Sequence, residues 1–303
     1  LATWPGETSK EKVMPDYVDW FVNREKQYQG FQKMLARETP KTVMLVEAPA
    51  DMGKTWLIQT MRHHCERANI PAMHVDFRDR RPHDYLSLVR LARDQMGAHY
   101  FNQLTATINS FTGVNITLSG SGQGSGSVKI ADISGSTVQA QDVAGRDIIK
   151  DNQFYIQADS DMARRAAESQ INDAFFACLT TLLAEKKEAV FLFDSFEDVT
   201  ADAGRWLNDY LLPRLHQRQL PGVLVIVAGR KVPALAAEMK DLVAKTGLDL
   251  FTEAHMREYI VERRKIEGLD LPTIFKTSGG YPGLLAKMAD VAAMDTQKDE
   301  DWL

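Results

Sequence analysis

At 303 residues the chain is long enough for one large or two ordinary domains with a sizeable buried core. It has no run of about 18 apolar residues, so no membrane-spanning helix is expected, and its formal net charge of -5 argues against a broad nucleic-acid surface while leaving room for a local basic patch. Cys65 and Cys178 are far apart and lack CxxC-type spacing, which makes them small buried apolar residues with no disulfide or metal site expected. With no charged-then-apolar leader pattern, the reading is cytoplasmic; a start at Leu1 rather than Met suggests a fragment of a longer protein.

The first strong feature is Phe21-Val22-Asn23-Arg24-Glu25, followed by a helical pattern at Tyr28, Phe31, Met34 and Leu35. The apolar run 42–47, bounded by Pro40 and Pro49, predicts a buried strand. A helix is expected from Lys54 to about Asn69, with Trp56, Leu57, Thr60 and Met61 inward. A second strand follows over Pro71 to Phe77, and Pro82 opens a helix through about Met96.

From about Thr105 to Ala158 the composition changes to Gly, Ser, Thr, Val and Ile, and no helical periodicity is read there. Gly120 to Gly126 alone would be a flexible linker, but Val128 to Ile133 alternates, and Val138 to Val143 follows a Ser-Gly-Ser turn. Hairpins or rungs of a β-solenoid are one reading, and a disordered insertion is the other. A docking element for assembly by strand pairing is expected if the first holds. Helical pattern returns over Met162 to Lys186. Val190 to Phe193 and Val223 to Val227 are the third and fourth core strands, and the tail from about Leu250 is helical, broken at Gly279-Gly280-Tyr281-Pro282. Strands alternating with helices imply an α/β fold with a mostly parallel sheet covered on both faces.

Ala48-Pro49-Ala50-Asp51-Met52-Gly53-Lys54-Thr55 matches the P-loop pattern G-x-x-x-x-G-K-S/T with Ala48 at the first glycine. A loop between strand and helix points successive backbone N–H groups at phosphates, and the helix N-terminus adds partial positive charge. Ala50, Asp51, Met52, Gly53, Lys54, Thr55 and Trp56 are therefore the expected nucleotide-binding segment. Lys54 reaches the terminal phosphates and Thr55 a magnesium ion. Asp194, closing the third strand, is the second expected magnesium ligand. Glu197 is the candidate general base, with Asp198 as fallback. Arg230, at the end of the fourth strand, is either a sensor of the γ-phosphate or a plain surface arginine.

Together these pieces resemble the STAND class of signal-transduction ATPases, which holds the NACHT and NB-ARC modules. Phe21 to Glu25 is similar to that class's hhGRE motif, with Asn23 in place of glycine, and the resemblance implies that Val22 and Arg24 contact the nucleotide. Val190 to Asp198 is similar to the NACHT Walker B pattern, with the acidic pair in the order Glu-Asp. Arg230 stands where the class keeps its sensor arginine. Gly280-Tyr281-Pro282 is similar to the GxP motif of a small helical domain, which implies that Pro282 packs on the base. The implied layout is an NTPase domain in two parts, residues 1–104 and 159–249, an insertion at 105–158, and a small helical domain at 250–303. The implied function is a slow ATPase switch that binds ATP or ADP with Mg2+, controls self-assembly and effector activation in defence or signalling, and works with effector and sensor domains outside this chain. The alternative is an AAA+-like ATPase that remodels protein or loads nucleic acid, for which Arg214 and Arg218 are candidate trans-acting fingers. No membrane or nucleic-acid partner is expected.

Overall fold

The computed structural model describes residues 20–79, 84–112, 115–116, 130–131 and 160–300. The apolar run after Pro40 forms strand β1 (Val43–Glu47), preceded by helix α1 (Glu25–Leu35) and followed by α2 (Lys54–Arg67) and β2 (Ala72–Asp76). Next come α3 (Tyr85–Met96), α4 (Asn102–Thr112) and two short antiparallel strands, β3 (Asn115–Ile116) and β4 (Ile130–Ala131). Helix α5 (Asp161–Lys186) leads to β5 (Ala189–Asp194), α6 (Ala201–Trp206), α7 (Leu212–His216), β6 (Val223–Gly229) and β7 (Val243–Thr246). The chain ends in α8 (Glu253–Arg257), α9 (Leu271–Ser278) and α10 (Pro282–Glu300).

Strands β2, β5, β6, β1 and β7, in that order, make one parallel sheet. Successive side chains on a strand point to opposite faces. Met44, Val46, Val190, Leu192, Leu224 and Ile226 therefore pack with Phe31, Leu57, Ile58 and Met61 of α1 and α2. Val43, Leu45, Phe191, Phe193, Val225 and Val227 pack on the other face with Leu88, Phe101, Phe175 and Trp206. Both faces are dry, so the three central strands read as continuous apolar runs rather than alternating ones. Cys65 and Cys178 are free and buried, as expected of small apolar residues.

The fold departs from expectation in three places. Strand β7 was not foreseen, because Val-Ala-Lys-Thr carries no apolar run; parallel pairing from Val43–Val243 to Val46–Thr246 fixes it beside β1. Residues 105–112, read as non-helical, belong to α4: Leu104 and Ile108 are spaced by one turn and buried against the same core as Phe101 and Phe175. The weak helix formers among Asn102–Thr112 hid that pair. Helix α3 begins at Tyr85, where the Asp84 side chain accepts from the Ser87 N–H at 2.7 Å; Pro82, expected to open it, lies outside the described residues. β4 falls within the alternating run 128–133, while the turns and strands expected at 120–126 and 134–149 lie outside the described residues.

The C-terminal segment from Phe251 onward forms a third core of Phe251, Met256, Tyr259, Ile260, Leu285 and Ala289, closed by Val22 from the other end of the chain. Gly280 turns the backbone between α9 and α10 with φ +78°, and a Cβ there would lie 2.5 Å from the Phe251 carbonyl oxygen. Among the described residues no helix is long and apolar enough to cross a membrane.

Candidate functional site

The carboxyl end of a parallel sheet is where ligands meet an open α/β fold, and the loop from β1 to α2 lies at that end. The Ala48 N–H donates to the Gly229 carbonyl at 3.2 Å, so sheet pairing runs one residue into the loop. Ala48 does not adopt a positive φ, which is why alanine serves at the first position of the motif. Gly53 does need its freedom, with φ +83° at the N-cap of α2. The first N–H groups of α2 lack intrahelical acceptors and face out of the helix start. Lys54 is 9% exposed, and its Nζ donates to the Ala48 and Pro49 carbonyls at 2.8 and 2.6 Å. Burial pulls its ammonium below the ordinary value, opposed by the nearby carboxylates of Glu197 and Asp194.

Asp194, at the end of β5, is 1% exposed. Its Oδ1 accepts from the Ser195 N–H at 2.8 Å, and its buried Oδ2 accepts no hydrogen bond. Burial pushes this carboxyl up, offset in part by the Thr55 hydroxyl beside it. An orphaned carboxylate oxygen next to a hydroxyl is a donor set suited to a hard cation such as Mg2+, which completes its shell with water and phosphate. Among the described residues no group of three or more His, Cys, Asp or Glu could hold a metal unaided.

Glu197 lies on the short turn Phe196–Asp198 after β5 and is joined to Arg230 twice. Oε2 accepts from the Arg230 backbone N–H and Oε1 from its Nε, both at 2.7 Å. Burial works to raise the Glu197 carboxyl, but the Arg230 bonds and Lys54 hold it below the usual carboxylate value. Gly229 makes the approach possible, since a Cβ there would sit 2.8 Å from Glu197 Oε2. Asp198 is exposed. Base and sensor, expected as separate parts, are thus one ion pair.

Two residues of this corner were not singled out in the sequence. Asp76 closes β2 directly beside Asp194 in the sheet register. Arg78, two residues on, grips Asp76 through Nε at 3.0 Å and Nη2 at 2.7 Å, and its Nη2 donates to Thr55 Oγ1 at 3.3 Å. The signal available was the one used for Asp194, an acid closing a core strand.

On the other side of Gly53 lies a mostly apolar cleft. Of the expected nucleotide contacts, Val22, Arg24, Gly53, Trp56 and Pro282 all line it, together with Trp20 and Tyr259. Trp20 and Trp56 stack at 6.1 Å, and Tyr259 meets Trp56 edge-on at 6.0 Å. Asn23, where the resemblance has glycine, takes φ +56°, a conformation Asn tolerates better than most residues. Arg24 also holds the chain around that cleft. It is 4% exposed and donates to the Asn23, Met52 and Asp249 carbonyls, so its donors brace the loop against the C-terminal segment. Burial lowers its pKa to about 10. Met52 is buried in the core under α2, Ala50 is exposed, and the Asp51 carbonyl accepts from the Gly283 N–H at 2.7 Å.

No family model matches the chain, and no curated protein matches it. Among solved structures it is similar to a STAND protein with a tetratricopeptide repeat sensor from Pyrococcus horikoshii, at 17% identity and TM-score 0.41, covering 86% of this chain and 28% of that one. It is also similar to the RuvB Holliday junction branch migration motor of Thermotoga maritima, at 11% identity and TM-score 0.41 over 91% of this chain and 63% of that one. The Walker-type ATPase of Pyrococcus abyssi gives 15% identity and TM-score 0.46 over 90% and 69%. The chain spans less than two thirds of the length of the first two proteins.

Proposed function

We propose that the chain is an ATP-binding, slowly hydrolysing switch whose bound nucleotide couples the P-loop core to the C-terminal helices. The observation that carries this reading is the continuity of the two half-sites through Gly53. On one side stand Lys54, Thr55 and the orphaned oxygen of Asp194; on the other is an aromatic cleft built jointly by residues 20–24, Trp56, Tyr259 and Pro282. A molecule with a flat base at one end and a charged polyphosphate at the other suits that pair of surfaces. Lys54 and the N–H groups at the start of α2 hold the phosphates, and Trp20, Trp56 and Pro282 hold the base. Thr55 and Asp194 would hold Mg2+, which neutralises phosphate charge when bound.

Glu197 accepts the proton of the attacking water in this reading. Both its oxygens are engaged by Arg230, so it is a base only after that pair opens, and the proposal of slow turnover rests on that. Nucleotide-dependent self-association, and effector or sensor domains outside this chain, are part of the same proposal. Of the motor alternative's two candidate fingers, Arg214 is engaged within the chain, stacking over Phe176 at 4.0 Å and pairing with Asp173 at 3.5 Å, while Arg218 is exposed.

Calorimetry with ATP and Mg2+ tests the core of this proposal. The unaltered protein should bind, and Lys54→Ala should bind at least about tenfold more weakly, because the cation facing the phosphates is gone. Equal affinity and turnover in the two proteins would refute the site.

A further inference from the structure

The phosphate end contains a third cation that the nucleotide reading has not used. Lys54 and Arg230 face it from the P-loop and β6; Arg78 faces it from β2. Three features distinguish Arg78 from an ordinary surface arginine. Asp76 holds its guanidinium through both Nε and Nη2, a fork geometry that fixes the plane of the group. The same Nη2 reaches Thr55 Oγ1 at 3.3 Å, at the start of α2, where the phosphate-facing N–H groups lie. The side chain is nonetheless 55% exposed, so the guanidinium is not consumed in the core. A guanidinium that merely anchored the end of β2 would need Asp76 alone.

The surrounding charges agree. Lys54, Arg78 and Arg230 meet Asp76, Asp194 and Glu197 at this corner, three of each sign. A polyphosphate brings several negative charges into that balance. Arg230 commits its Nε and backbone N–H to Glu197, and Arg78 commits Nε and Nη2 to Asp76 and Thr55, which leaves its Nη1 for a further acceptor.

Resting on the nucleotide reading above, we infer that Arg78 is a phosphate-binding residue. Its guanidinium, oriented by Asp76, donates to the terminal phosphate of a bound triphosphate from the β2 side, and so favours ATP over ADP. Asp76 is the positioning residue in this arrangement.

The experiment compares ATP and ADP affinities, each with Mg2+, in the unaltered protein, Arg78→Gln, Arg78→Lys and Asp76→Asn. Arg78→Gln should weaken ATP by about tenfold or more, the loss of a charge-assisted bond, while ADP affinity and the melting temperature without nucleotide stay close to the parent. Arg78→Lys should recover part of the ATP affinity, because the charge returns without the fork. Asp76→Asn should lower the preference for ATP in the same direction. Equal loss of ATP and ADP, or a fall in melting temperature with the nucleotide preference intact, would make Arg78 a structural anchor and overturn the inference. An unaltered protein that binds neither nucleotide would refute the nucleotide reading itself. One that binds both, with Arg78→Gln unchanged, refutes only the role of Arg78.

Discussion

Glu197 illustrates how little a residue's type says about its state. An acid three positions after a strand-ending Asp, in Asp-Ser-Phe-Glu, is a reasonable general base, yet here Arg230 takes both its oxygens and Lys54 adds a nearby positive charge. A carboxylate held below its usual pKa is a weak base, so the pair must part before it works. On the proposed function the order of events is therefore nucleotide binding, release of Glu197, and then hydrolysis. Glu197→Gln should keep ATP binding and lower single-turnover hydrolysis by about a hundredfold or more, the usual contribution of a general base. Asp198→Asn, on an exposed side chain, should do much less. The reverse ranking would transfer the base role to Asp198. Arg24 shows the same from another side: it lines the cleft where its motif put it, and it also makes three hydrogen bonds to backbone carbonyls that its residue type alone did not foretell.

At the scale of elements, the site stands on a sheet whose far face is sealed by aromatic packing. Trp206 of α6 is fully buried among Phe175, Phe176 and Phe191, and its Nε1 donates to Asn172 Oδ1 of α5 at 2.8 Å. Asn172 is 1% exposed and has no water to turn to. Trp206→Phe should cost about 1–3 kcal/mol for the stranded carbonyl oxygen alone, with a further loss for the space left behind. Adding Asn172→Leu should restore part of it, since both polar partners are then gone. Urea titrations of the single and double variants measure this, and a double variant no more stable than Trp206→Phe would show that packing, not the buried polar bond, sets the cost. Element type was legible wherever apolar residues were dense: β1, β5 and β6 are buried on both faces and announce themselves. It was illegible in β7 and α4. One has too few apolar residues to register, and the other carries its helical pair, Leu104 and Ile108, among Asn, Thr and Ser that favour other conformations when alone.

Across the whole molecule, the P-loop tip is gripped by the C-terminal helices. Besides the Gly283 N–H on the Asp51 carbonyl, Lys287 of α10 pairs with Asp51 at 3.1 Å. A Cβ on Gly283 would lie 2.6 Å from Asp51 Oδ1 and 2.9 Å from its Cα, so only glycine allows this contact. Gly283→Ala should push α10 off the loop, lowering the melting temperature and weakening ATP binding together, with a stability cost of about 1–3 kcal/mol for the overpacking. Calorimetry and a thermal melt on one sample check both, and a variant matching its parent in each would mean that the loop and α10 are not coupled. What the sequence determined by itself was local: the strand–loop–helix of residues 43–67, the glycine that needs φ +83°, the acid ending β5, and the helical tail with its Gly-Gly-Tyr-Pro turn. These depend on hydrophobic runs, backbone freedom and short spacings, all of which are written within a few residues. Only the tertiary structure decided that Arg230 would neutralise Glu197, that Arg78 would reach Thr55 from β2, and that residues 20–24 would share a cleft with residues 251–286. Those contacts join positions 23 to more than 200 residues apart, and their energies depend on burial and on which strand lies beside which, quantities that no local window contains.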